Sequence, residues 1–174
     1  MTRLVIEPIP GYSPGIGRVV SMLTYARKGL LHAVDGLTRD DLDHLHDSQS
    51  NSIGALLAHA TAVERWYQIV SFDERKPTSA DEAPLLAALD LGDPGRRELR
   101  GRELVGYLDD LSEARRDTLA ALALRDDDWL ERPLKAMPEM NAHWAWFHVA
   151  EDEISHRGQI HWLRKRLPGR ERRS

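Results

Sequence analysis

"HVAEDEISHRGQIHW", residues 148–162, gathers three histidines and three acids into about four helical turns. On a helix each residue advances about 100°, so His148, Asp152 and His156 share an arc of about 80° on one face. His161 lies about 140° round from His156 and belongs to another face. Side chains four apart project over the same turn, so Asp152 and His156 can chelate one ion. Two ligands from one helix leave a site incomplete. A third must come from the inward face of a neighbouring helix, and the stretch therefore asks for helices packed side by side.

The rest of the chain supplies them. Ile16, Val19, Val20, Leu23, Ala26, Leu30 and Val34 recur at spacings of three and four after Pro14. "NSIGALLAHATAVERWYQIV" opens a second helix, with Asn51 or Ser52 as cap and Ile53, Leu56, Leu57, Ala60 and Val63 as its apolar stripe. A third runs from about Arg102 to Leu124 on Leu104, Leu108, Leu111, Arg115, Thr118 and Leu122. The fourth starts after Asn141 and stops at "RLPG". Two short stretches, "GLTRDDLDHL" and "ALRDDDWLER", read as one-turn helices closing the ends of long ones. Between the second and third helices, "DERKPTSADEAPLLAALDLGDPGRRELRG" reads as an irregular crossover. No β alternation appears, so the expected fold is all-α: a four-helix bundle with that long crossover between helices two and three. His59, flanked in the apolar stripe by Leu56 and Val63, is the candidate third ligand, because a histidine there must hydrogen-bond, bind a metal or cost stability.

Composition narrows the chemistry. The 174 residues are 41% hydrophobic and 30% charged with a net charge of −4. That suits one domain over 1–174, with residues 1–13 as an N-terminal extension and 168–174 as a basic C-terminal tail. The mild charge gives no footprint for nucleic acid, and no run of apolar residues is long enough for a membrane span. The first fifteen residues lack a continuous apolar signal segment, so a cytoplasmic location is expected. The chain has no cysteine. Any metal must be held by histidine and carboxylate, and a thiol in the chemistry would have to be brought in.

"NSIGALLAH" together with "HVAEDEISHRGQIHWLRKRLPG" resembles the DinB/YfiT-like superfamily of bacterial four-helix bundles, over nearly the whole chain. The resemblance implies a divalent metal, often zinc or nickel, on His59, Asp152 and His156. Many relatives have histidine where this chain has Asp152, while the mycothiol-dependent maleylpyruvate isomerase branch has a glutamate. The resemblance also implies S-transferase-type chemistry on a low-molecular-weight thiol such as mycothiol or bacillithiol, and a homodimer. His148, one turn before Asp152, is a substitute ligand or a supporting group.

Other readings compete. A metal-dependent hydrolase would use bound water on the same three ligands, and a structural or stress-related metal site would need no reaction. A di-iron bundle would use Glu153-Ile154-Ser155-His156, but that motif occurs once and no inward glutamate is evident on the other helices. No general base stands out. Glu151, Glu153 and Arg157 are expected to be solvated, and Gly158 to permit close helix approach. Trp144, Trp146 and Phe147 cannot all face one core, so at least one is exposed, in a pocket or an interface. His44 and His46 are expected at the surface.

Overall fold

The computed structural model describes residues 5–169, and these form an all-helical structure. The end of the basic tail, 170–174, lies outside the described residues, as do residues 1–4 of the N-terminal extension. Four helices are long: α1 (Pro14–Val34), α3 (Ile53–Ser71), α7 (Leu104–Leu122) and α9 (Ala142–Arg164). α1 packs chiefly along α9, and α3 lies against both α7 and α9. The short helices α2 (Arg39–Asp43) and α8 (Asp127–Glu131) follow α1 and α7, where the acid-rich stretches stand.

Side-chain caps set the helix starts. Ser52 Oγ accepts from the Ala55 amide at 3.1 Å, and Asn141 Oδ1 accepts from the Trp144 amide at 2.8 Å. Each satisfies a donor that the first turn would otherwise leave unpaired. Thr38 and Asp41 form a reciprocal capping box on α2. Asp127 reaches from α8 to the start of α1, where it accepts from the Gly15 and Ile16 amides at 2.8 and 3.1 Å. Asn141→Ala should cost about 1 kcal/mol, lowering the melting temperature by roughly 2–4 °C. An unchanged thermal melt would show that the cap contributes nothing to α9.

The crossover is not irregular. It carries α4 (Ser79–Glu82), α5 (Leu86–Asp90) and α6 (Gly92–Glu98). Thr78 and Asp81 cap the first reciprocally, and Leu91, at a φ of 55°, breaks the second from the third. Each piece is too short to show a period, and α5 is held by packing on α3.

The core falls into two apolar clusters. One joins Ile16–Ala26 of α1, Val63–Val70 of α3 and Ala142–Ala150 of α9, with Trp129 and Trp146. The other joins Leu30–Val34 of α1, Ile53–Ala60 of α3, Tyr107 and Leu111 of α7, and Ile160 and Leu163 of α9. The residues between them are polar. Arg27, Glu64, Arg115 and Glu153 are all buried there, one from each long helix. Arg27 donates to Glu153 Oε1 at 3.0 and 2.7 Å and to Glu64 Oε2 at 2.7 Å. Arg115 donates to Glu64 Oε1 at 2.7 Å and to Glu153 Oε1 at 2.8 Å. Each arginine also donates to a main-chain carbonyl of the facing helix, Leu111 or Leu23.

This network corrects two expectations. Glu153 is not solvated, and Glu64 is an inward glutamate on a neighbouring helix. Burial opposes ionisation of Glu64, but Arg115 and Arg27 outweigh it and hold its carboxyl below the usual range. Burial pushes Glu153 the other way, up, despite the same two guanidiniums.

Candidate metal centre

His59 on α3 and Asp152 and His156 on α9 converge, with one ligand atom from each lying within 4.8 Å of the others. His59 Nε2 is 3.5 Å from Asp152 Oδ1, and His156 Nε2 is 3.2 Å from the same oxygen. All three side chains are largely buried, at 14%, 12% and 10% exposure. A tetrahedral ion with bonds of about 2.0–2.1 Å would hold its ligand atoms about 3.3 Å apart. The two measured spacings bracket that value, so the shorter reach of aspartate is no obstacle.

The main chain fixes one imidazole. His59 Nδ1 is 2.7 Å from the carbonyl oxygen of Ala88, on α5, so its N–H donates there. In the neutral ring Nε2 then carries a lone pair and faces a carboxylate oxygen. Two lone pairs so placed repel unless a cation, a proton or a metal, lies between them. Asp152 Oδ2 and His156 Nδ1 are also buried with no hydrogen-bond partner among the described residues, a state that buried polar atoms rarely keep. Burial disfavours the charged form of both His59 and Asp152, but it is outweighed by Asp152 and the Ala88 carbonyl at His59, and by His156 and His59 at Asp152. The imidazole is raised above its ordinary value and the carboxyl is held well below the usual range.

His148 does not join the three. Its Nδ1 is hydrogen-bonded to the Tyr67 hydroxyl at 3.1 Å, and its ring stacks on Trp144 with centroids 5.1 Å apart. Burial, with the Asp152 charge nearby, pushes the Tyr67 phenol up to about 12. It therefore stays protonated and able to donate. Sequence reasoning missed Tyr67, although it continues the Leu56, Ala60, Val63 stripe at the same spacing. It could not find the Ala88 carbonyl, since that contact depends on where α5 packs.

Other expectations sort differently. His161 is exposed on another face, and His46 sits at the surface with its ring edge-on to Trp162. Trp146 is buried, while Trp144 and Phe147 are about half exposed. Gly158 does not serve close helix approach: a side chain there would meet nothing within 4 Å. Mid-helix glycine costs about 1 kcal/mol against alanine, and here no packing contact offsets it. Glu64 and Glu153 also speak against the di-iron reading, because guanidinium N–H groups occupy the carboxylates a second ion would need.

Two clefts flank the three residues along α9. Trp144 lines one of about 560 Å³ with Pro133, Pro138 and Met140, and with Glu131, Glu139 and Asn141 among its polar groups. Trp162 lines the other, of about 460 Å³, with Ser50, Asn51, Ser155 and Gln159. On an ideal helix Trp144, Ser155, Gln159 and Trp162 all project within about 80° of Asp152, while His59, Asp152 and His156 themselves line neither cleft. Among the described residues no helix is long and apolar enough to cross a membrane.

A model of the mycothiol-S-transferase family matches residues 18–169, which takes in all four long helices and all three converging side chains. No curated protein matches the chain.

Proposed function

We infer the function from a premise that the match establishes: the chain belongs to the mycothiol-S-transferase family, within the DinB/YfiT-like superfamily. The proposal is a metal-dependent S-transferase, built as a DinB-type four-helix bundle, that joins a low-molecular-weight thiol such as mycothiol or bacillithiol to an electrophile. His59, Asp152 and His156 would hold zinc or nickel. The observation that carries this is the convergence of two imidazole nitrogens and one carboxylate oxygen, with one imidazole's tautomer set by Ala88.

Bound there, a divalent ion with an open position would keep a thiol as its thiolate at neutral pH. The chain's own groups do the rest. Asp152 supplies the one negative charge of the ligand set, so the ion's charge is only partly neutralised. His59 is held in place by Ala88, and Tyr67 offers an O–H beside Asp152. The absence of cysteine agrees with a borrowed thiol. The three side chains are buried between α3 and α9, and the Trp144 cleft, where Trp144, Pro133, Pro138 and Met140 stand beside Glu131 and Glu139, is the proposed seat of the electrophile. A homodimer with the exposed Phe147 ring of α9, which lines neither cleft, at its interface and a cytoplasmic location complete the proposal.

Elemental analysis tests it, on wild type and His156→Ala purified without an affinity tag. About one zinc or nickel per chain is expected in wild type and none in the variant, with thiol conjugation lost in parallel. Wild type that takes up no ion after divalent metals are added back would end this reading.

A further inference from the structure

We propose that the cleft between α1 and α7 binds a linear aliphatic carboxylate, with its headgroup at Arg27 and Arg115 and its chain along Leu111, Leu108 and Leu31. The site is separate from the three converging side chains on α3 and α9, and it does not rest on the S-transferase reading.

The cleft exists because α1 packs on α9 and α7 packs on α3, while α1 and α7 barely touch each other. Its walls come from these two helices alone, and its volume, about 360 Å³, is in the range of small-molecule sites. Two arginines cross the seam. Arg27 Nη1 donates to the Leu111 carbonyl at 2.6 Å, and Arg115 Nη1 donates back to the Leu23 carbonyl at 2.9 Å. With Arg27 beside Leu111 and Leu23 beside Arg115, the helices run antiparallel. Leu31, one turn beyond Arg27, therefore stands level with Leu108.

The headgroup is placed by counting donors. A guanidinium has five N–H groups. Arg27 gives Nε to Glu153, both Nη2 hydrogens to Glu64 and Glu153, and one Nη1 hydrogen to Leu111. Arg115 divides its own among Glu64, Glu153 and Leu23 in the same proportion. Each Nη1 keeps one N–H uncommitted among the described residues, at the seam, on a side chain nine-tenths buried. Two such donors, one from each wall, suit the two oxygens of a carboxylate. No acid lines the cleft, whereas Arg116 does. The nearby acids of α7, Glu113 and Asp117, are held by Arg65 of α3.

The chain is placed by the leucines. From Arg115 back to Leu108, α7 rises about 10 Å, close to the extended length of octanoate. Leu119 alone stands at the other end, so the longer apolar run leads toward Leu31. A single exposed leucine needs no explanation. Leu31, 39% exposed, instead lies at the end of a cleft that begins at two uncommitted donors.

Calorimetry with octanoate tests this, on metal-loaded wild type, Ser112→Trp and Leu31→Glu. Octanol, octyltrimethylammonium and acetate are run alongside. Ser112 and Leu31 are both exposed at the cleft, so neither change disturbs the core. The new Trp fills the space beside the guanidiniums, and the new Glu sets a like charge against the chain. Wild type should bind octanoate roughly tenfold or more tighter than octanol, and should not bind acetate or the cation. Each variant should weaken octanoate by a similar factor, with melting temperature and metal content maintained. Asp152→Asn, stripped of its metal ligand, should bind octanoate as wild type does. Octanoate held no better than octanol, or held equally by wild type and both variants, overturns the proposal. Binding lost in Asp152→Asn would place the carboxylate on the metal and overturn it as well.

Discussion

Asp152→Asn should abolish metal binding at ordinary concentrations and take thiol transfer with it. The substitution keeps the shape of the side chain and removes its charge, so packing around α9 is preserved. Asp152 Oδ1 is the shared neighbour of both imidazoles, 3.5 Å from His59 Nε2 and 3.2 Å from His156 Nε2. An amide there leaves two neutral nitrogens and a poor oxygen donor. Changes to groups that merely support metal ligands cost about 10–100-fold in affinity, and loss of a charged ligand should exceed the top of that range. Asp152→Glu separates charge from reach. It restores the carboxylate one methylene further out, so it should recover part of the affinity if the centre tolerates the displacement. The measurement is competition with a chromophoric chelator. Affinity unchanged in Asp152→Asn would mean that the ion, if any, sits elsewhere.

The sequence is informative about these residues because helical period is a strong signal. His59 inside an apolar stripe, and Asp152 four before His156, place three side chains on two inward faces without any knowledge of tertiary packing. The long helices were legible for the same reason: α1 begins at Pro14 and ends at Val34, and α9 starts after its Asn141 cap. What was not legible depends on contacts distant in sequence. Glu64 and Glu153 look like solvated acids on charged helices, and only the arrival of Arg27 and Arg115 from other helices makes their burial tolerable. Arg115 did leave a trace, since it stands where an apolar residue was due in the α7 row. Ala88 left none, because a main-chain carbonyl has no sequence signature. Gly158 was misread because a mid-helix glycine suggests a close neighbour, and here the neighbour is open space.

Breaking the buried network from one side should be the most damaging change to stability. Glu64→Leu removes both oxygens that Arg115 grips and one that Arg27 uses. Two guanidiniums would then share the single carboxylate of Glu153, whose Oε2 is already without a hydrogen-bond partner among the described residues. A buried charge stripped of its partner costs about 3–5 kcal/mol, equivalent to a fall in melting temperature of roughly 6–20 °C for a chain of this size. The position of the network sharpens the expectation. It joins all four long helices in the layer between the two apolar clusters, so water cannot easily reach the abandoned arginines. Replacing all four residues by apolar ones of similar volume, Arg27→Met, Glu64→Leu, Arg115→Met and Glu153→Leu, removes the uncompensated charge and should recover most or all of the loss. If the network earns its place through register rather than stability, that quadruple variant will melt near wild type yet bind metal more weakly, because His59 and Asp152 stand on helices no longer pinned at one height. Thermal melts of metal-free protein and chelator competition read the two effects separately. A melting temperature within about 2 °C of wild type for Glu64→Leu alone, less than 1 kcal/mol by the same scale, would show that the four charges do not act as a buried unit.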